Sequence, residues 1–189
     1  MTQFSKCIPG IAKVVTKIAE VFHWVAVALM IAATICSVAA PSAVNYFVGF
    51  DAKECCGARL AVYGFEINAP VTNGQADMAA FLMFGISAVF ILSLMAMIFR
   101  NLNLIIGKSE GTTPFQFDNV RMFREIGIFS ISVPVIGFIM SIITRIVLGA
   151  GVAEISNNFS GLVIGVVVLC VTQFFARGIE LEHDVDGLV

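Results

Sequence analysis

Four stretches of this 189-residue chain contain no Asp, Glu, Lys or Arg: Val21 to Phe50, Met78 to Phe99, Ile126 to Thr144 and Ile155 to Ala176. A helix crosses a bilayer with roughly 20 apolar residues, covering about 30 Å of hydrocarbon at 1.5 Å per residue. A charge at its centre costs on the order of 3 kcal/mol on insertion, so four such runs in one chain imply lipid as the solvent. The chain is 59% hydrophobic and 13% charged, with a mean hydropathy of +0.96. Buried helices of a large soluble protein would keep polar faces that these runs lack. The fold expected is an all-α integral membrane protein, a single up-down bundle of four transmembrane helices. The spans fall at about 21–40, 78–99, 126–144 and 158–176, separated by an outer loop 41–77 and an inner loop 107–125, with a tail 177–189.

The positions of Lys and Arg set the orientation. Lys6, Lys13 and Lys17 precede the first span, Arg100, Lys108, Arg121 and Arg124 surround the inner loop, and Arg177 follows the last span. Only Lys53, Arg59 and Arg145 fall on the other side, which puts both termini in the cytoplasm by the positive-inside rule. A signal-peptide reading of the first run, with Ser37 to Ala40 as a cleavage site, fails on its long polar lead and over-long apolar core. No basic stripe suggests direct nucleic-acid binding.

Smaller signals fill in the connections. Ile11, Val14, Val15, Ile18 and Phe22 recur at helical spacing opposite Lys13, Lys17 and Glu20, so residues 8–22 read as an interfacial helix that turns inward near His23 and Trp24, with His23 as an interfacial anchor. In the outer loop, Asn45 to Phe50 and Arg59 to Ile67 are rich in β-forming residues, and Asn73-Gly74 is a turn signal. Short strands or a hairpin are expected there as a small extracytoplasmic cap. Gly107 is expected to end the second helix and Asp118 to cap the third, with Phe115 and Phe117 flanking that start as a staple or a contact surface. Pro134 predicts a kink, with Ser130 and Ser132 near the carbonyls it frees. Gly161 with Gly165, Gly137 with Ser141, and Ala28 with Ala32 are small residues four apart, marking faces for lateral helix packing.

Catalytic chemistry finds little support. Cys55 and Cys56 are adjacent in the outer loop and could form a vicinal disulfide, but no second outer pair accompanies them, and Cys36 and Cys170 lie in apolar spans as small hydrophobes. Two histidines, His23 and His183, do not make a haem site, and no HExxH, phosphate-binding loop or GxSxG occurs. Arg145 can snorkel from the end of its span. Gln173, Thr172, Thr144 and the span serines are expected to make interhelical hydrogen bonds rather than an ion path. The expectation is a protein that is not an enzyme and has neither cofactor nor metal.

Two motifs carry a resemblance. The run from Gly111 to Gly127, GTTPFQFDNVRMFREIG, and the ending from Phe174 to Val189, FFARGIELEHDVDGLV, resemble the bacterial membrane family known as domain of unknown function 2975. Its members have a Pro-Phe, Asn, hydrophobic, Arg loop before the third span and an ending of the form Gly-x-x-Leu-x-x-Asp-x-Asp-x-x-Val. Cys55 and Cys56 are not part of that pattern. The resemblance implies a multi-pass protein of the bacterial inner membrane, often encoded beside a small helix-turn-helix regulator of the Cro type. A cytoplasmic partner of that kind would meet Phe115, Phe117, Asn119, Arg121 and Arg124 on the inner loop. Glu180, Glu182, Asp184 and Asp186 on the tail would face its basic DNA-binding surface. The alternatives are an accessory subunit packing laterally in a larger membrane complex, and a small transporter or channel.

Overall fold

The computed structural model describes residues 3–40, 58–69, 71–72, 75–109, 116–153 and 159–186. Among the described residues there are four helices: α1 (Gln3–Ala39), α2 (Met78–Ser109), α3 (Phe117–Leu148) and α4 (Ser160–Asp186). Between α1 and α2 lie the strands β1 (Ala58–Val62), β2 (Phe65–Ala69), β3 (Val71–Thr72) and β4 (Gln75–Ala76). All four helices are long and apolar enough to cross a membrane.

The helices extend past the charge-free runs, which corrects several expected boundaries. A charge-free run marks where hydrocarbon excludes charge, whereas the backbone ladder continues into polar surroundings at no such penalty. Thus α2 passes through Gly107 and ends with Lys108 in its last turn, where a cation complements the helix dipole. Helix α3 begins earlier than expected: the Asn119 and Val120 N–H groups donate to the Gln116 carbonyl (3.0 and 3.1 Å), which makes Gln116 the cap and leaves Asp118 in the first turn. Helix α4 continues to Asp186, so residues 177–186 are helical rather than a loose tail. Pro134 lies inside α3, and the Ser132 hydroxyl donates to Ile128 (2.8 Å), not to the Ser130 carbonyl that the proline frees. Asp77 caps α2, its Oδ1 accepting from the Ala79 N–H at 2.9 Å.

The chain divides into two compact units. The first, the charged unit, comprises residues 1–23, 94–132 and 160–189. In it, Ile98, Ile105, Met122 and Ile126 form a core shared by α2 and α3, with Val168 of α4 packed against it. Helices α3 and α4 approach closely at glycines. A Cβ on Gly165 would lie 2.7 Å from the Gly127 carbonyl oxygen and 2.5 Å from Ile131, so only glycine fits.

Helix α1 enters this unit with its polar stripe inward. Glu20 and His23 are buried, while Ile11, Val14, Val15, Ile18 and Phe22 are exposed. The amphipathic face was correctly placed, but no break in α1 separates an interfacial piece from the span. His23 is held by protein rather than by headgroups. Its ring lies 5.1 Å from that of Phe99, and its Nδ1 donates to the Ala19 carbonyl at 2.7 Å.

The second, the hairpin unit, comprises residues 24–93 and 133–159. Strands β1 and β2 pair antiparallel, from Ala58 opposite Ala69 to Val62 opposite Phe65. Tyr63 and Gly64 connect them with positive φ at both positions (43° and 87°), the twist that a two-residue hairpin turn requires. Phe65, Ile67 and Ala69 alternate inward along β2 and are buried. Phe65 stacks on Phe84 of α2 at 6.2 Å, and the opposite edge of β2 is bridged where the Asn68 N–H donates to Val152 (2.7 Å). Strands β3 and β4 pair Thr72 with Gln75 across Asn73-Gly74, the expected turn, which itself lies outside the described residues. The expected strand at Asn45 to Phe50 lies outside them too.

Candidate functional site

The end of α2 and the start of α3 carry a group of linked polar and charged side chains. Each side chain there is positioned by its helix. Asn101 lies just beyond the charge-free run of α2 and Lys108 in the last turn of that helix, while Asp118, Arg121 and Glu125 occupy the first turns of α3. Glu125 joins the two helices: one carboxylate oxygen accepts from Asn101 Nδ2 (3.0 Å) and the other from Arg121 Nε (3.1 Å). Asn101 is buried, so its amide needs this acceptor. Lys108 Nζ donates to Asp118 at 2.6 Å on the exposed rim. Deeper in, Asn119 Nδ2 donates to Ser109 Oγ at 3.4 Å. On the other side of α2, Asn103 Nδ2 donates to the Lys13 carbonyl (2.9 Å) and to Thr16 Oγ1 (3.2 Å), tying α1 into the unit.

Between α2 and α3 this leaves a cleft of about 310 Å3, lined by Met97, Arg100, Asn101, Leu104, Lys108, Asp118, Arg121, Met122 and Glu125. Three cations and two carboxylates line it, so its formal charge is positive. Arg100 is exposed and has no ion-pair partner among the described residues.

The residues singled out in the sequence fall in different places. Phe117 is 76% exposed and Arg121 and Arg124 are exposed on α3. Asn119 is fully buried and bonded to α2, which corrects its assignment to a partner-facing surface. Glu180 is exposed on α4, and Glu182, Asp184 and Asp186 occupy the last helical positions, their side chains outside the described residues. Gly165 lies at the crossing with Gly127. Gly161 is in the first turn of α4. Gly137 and Ser141 lie in the hairpin unit, Gly137 facing Phe65 and Ser141 buried with its hydroxyl on the Gly137 carbonyl (2.8 Å). Phe115, Cys55 and Cys56 lie outside the described residues. Cys36 and Cys170 are free thiols, exposed on the apolar helices α1 and α4.

The hydroxyls of the spans also differ from expectation. Thr34, Ser87, Ser93, Thr144 and Thr172 each donate to the carbonyl four residues back in their own helix, at 2.7 to 2.8 Å. That local bond satisfies the hydroxyl without a neighbour, which removes the need for interhelical bonds at these positions. Gln173 is exposed on α4. Among the described residues no group of three or more His, Cys, Asp or Glu is placed to hold a metal ion.

Sequence reasoning missed Asn101, Asn103 and Gly127. Their signal was present: two asparagines just beyond a charge-free run, and a glycine at the foot of another. No protein-family model, curated protein or solved structure matches this chain.

Proposed function

We propose that this is a non-enzymatic membrane protein of the binding or regulatory kind, whose acidic α4 terminus holds a small, basic helix-turn-helix regulator at a bacterial cytoplasmic membrane. The observation that carries this reading is the extension of α4 to Asp186. It places Glu180, Glu182, Asp184 and Asp186 at the carboxyl end of a helix, where the dipole already presents partial negative charge. Acids spaced four apart there repel each other as well. A cationic partner relieves both penalties, and the basic face of a DNA-binding domain supplies one. Phe117 and Arg124, exposed at the start of α3 in the same unit, offer an apolar and a cationic contact beside it.

Charge supports the side assigned. Eight of the eleven Lys and Arg residues fall in the charged unit, which holds both chain ends and the α2–α3 connection. The positive-inside rule then puts that unit in the cytoplasm. The motif resemblance to domain of unknown function 2975 points the same way, since it implies a regulator of this class nearby.

The test is sedimentation of that regulator with membranes. Wild-type protein should carry it down, and deletion of residues 179–189 should release it to the supernatant. Unchanged retention overturns the proposal. Retention of a large membrane complex instead, on the exposed apolar faces of α1 and α4, would make the chain an accessory subunit.

A further inference from the structure

We infer that the cleft between α2 and α3 is a binding site for the phosphate of an anionic phospholipid. Arg100 follows directly on the charge-free run Met78 to Phe99, so the cleft opens at the level where hydrocarbon gives way to headgroups. Its lining has both characters that an amphiphile meets. Met97, on the hydrocarbon side of Arg100 along α2, faces the glycerol end of the lipid, and Leu104 and Met122 add apolar wall beside the headgroup. Arg100, Lys108 and Arg121 supply the charge. Basic pockets between transmembrane helices recognise lipid headgroups in this way.

Charge accounting selects the phosphate donors. Lys108 is engaged by Asp118 (2.6 Å) and Arg121 uses its Nε on Glu125 (3.1 Å). The guanidinium of Arg121 keeps its two terminal nitrogens, on a side chain that is 81% exposed, and Arg100 has no carboxylate partner among the described residues. Two guanidinium groups on adjoining helices suit a phosphodiester, which each can bind with paired N–H donors. A volume of about 310 Å3 accommodates a glycerophosphate group, at the lower end of small-ligand pockets. The net positive charge disfavours a headgroup that carries its own ammonium, so phosphatidylglycerol fits and phosphatidylcholine does not. This inference rests on the chain lying in a bilayer and not on the protein partner, so loss of regulator binding would leave it standing.

The experiment is native mass spectrometry of the full-length protein released from micelles holding equal phosphatidylglycerol and phosphatidylcholine. Wild type should retain phosphatidylglycerol preferentially. Arg100→Gln and Arg121→Gln should each weaken that preference by about fivefold, the effect of one cation near a lipid surface. Asp118→Asn, which removes a rim carboxylate, should strengthen it, and Arg177→Gln on α4 should leave it unchanged. No preference in wild type, or one that survives Arg100→Gln, overturns the site. Displacement of the retained lipid by millimolar inorganic phosphate would assign the cleft to a free anion and overturn the lipid as occupant.

Discussion

The charged unit and the hairpin unit join apolar helices by different means. In the charged unit, side chains reach from one helix to the next: Asn103 to Lys13 and Thr16, Asn101 to Glu125, Asn119 to Ser109. In the hairpin unit, Thr34, Ser37, Ser87, Ser141 and Thr144 spend their hydroxyls on their own helices, and Phe65 and Ile67 of β2 supply the buried surface instead. The difference follows from the solvent. Lipid tails are as apolar as leucine, so helices in hydrocarbon gain nothing by hiding apolar side chains from them. They associate through close packing or through polar groups that bond across the gap. The charged unit adds amides and charges to its Gly127–Gly165 crossing. The other uses an inserted aromatic and the close approach of Gly85 to Thr34.

The largest effect should come from removing that aromatic. Phe65→Ala deletes a fully buried ring stacked on Phe84 and should cost about 3–5 kcal/mol. Hydrogen exchange in lipid nanodiscs is the measurement. Amides of β1 and β2 should lose protection while those of Asn101 to Ile105 keep theirs. Equal loss in both would make the two units one cooperative structure.

Next in size is a pair of glycine substitutions on neighbouring helices. Gly165→Ala forces a Cβ against the Gly127 carbonyl and Ile131, and the backbone oxygen cannot swing aside, so about 1–3 kcal/mol is expected. Gly137→Ala meets only Phe65 at 3.8 Å, an ordinary contact, and gains up to about 1 kcal/mol from helix propensity. Thermal unfolding in mild detergent should therefore shift in opposite directions for the two. A similar loss for both would mean that glycine spacing alone, and not the specific crossing, governs stability.

How much of this the sequence made legible depends on the range of the forces involved. The four crossings depend on charge exclusion, a property of each run by itself, and are read directly. The β1–β2 hairpin is nearly as local, since Arg59 to Ile67 holds both the β-forming residues and Gly64 of the turn. Helix ends were misjudged because Gly107 and the acidic stretch after Arg177 look like breaks only if lipid is the reason for helicity. Of the residues lining the cleft, Arg121 stood out by position and Asn101 did not, while Asn119, expected on a partner-facing surface, is buried. Its burial depends on Ser109, a residue of a different helix that only folding brings near. Gly127, marked in the sequence only by its place at the foot of a charge-free run, acquires its meaning in the same way, at the crossing where α4 presents Gly165 to it.

The smallest effect tests whether charge, rather than hydrogen bonding, holds the polar junction. Glu125→Gln keeps an oxygen that can accept from Asn101 but loses the ion pair with Arg121, whose side chain is 81% exposed. Such an i,i+4 pair at the surface contributes about 0.3–0.5 kcal/mol, so the loss should be under about 1 kcal/mol. The wild-type protein should show a weak fall in stability between low and high salt that the variant lacks, because screening removes only the charged component. Glu125→Ala separates the two contributions. It also strands the buried Asn101 amide and should cost about 1–3 kcal/mol at any salt concentration. If Glu125→Gln proves as damaging as Glu125→Ala, the junction is held by its carboxylate charge. The charged unit would then differ from the hairpin unit in electrostatics rather than in the reach of its side chains.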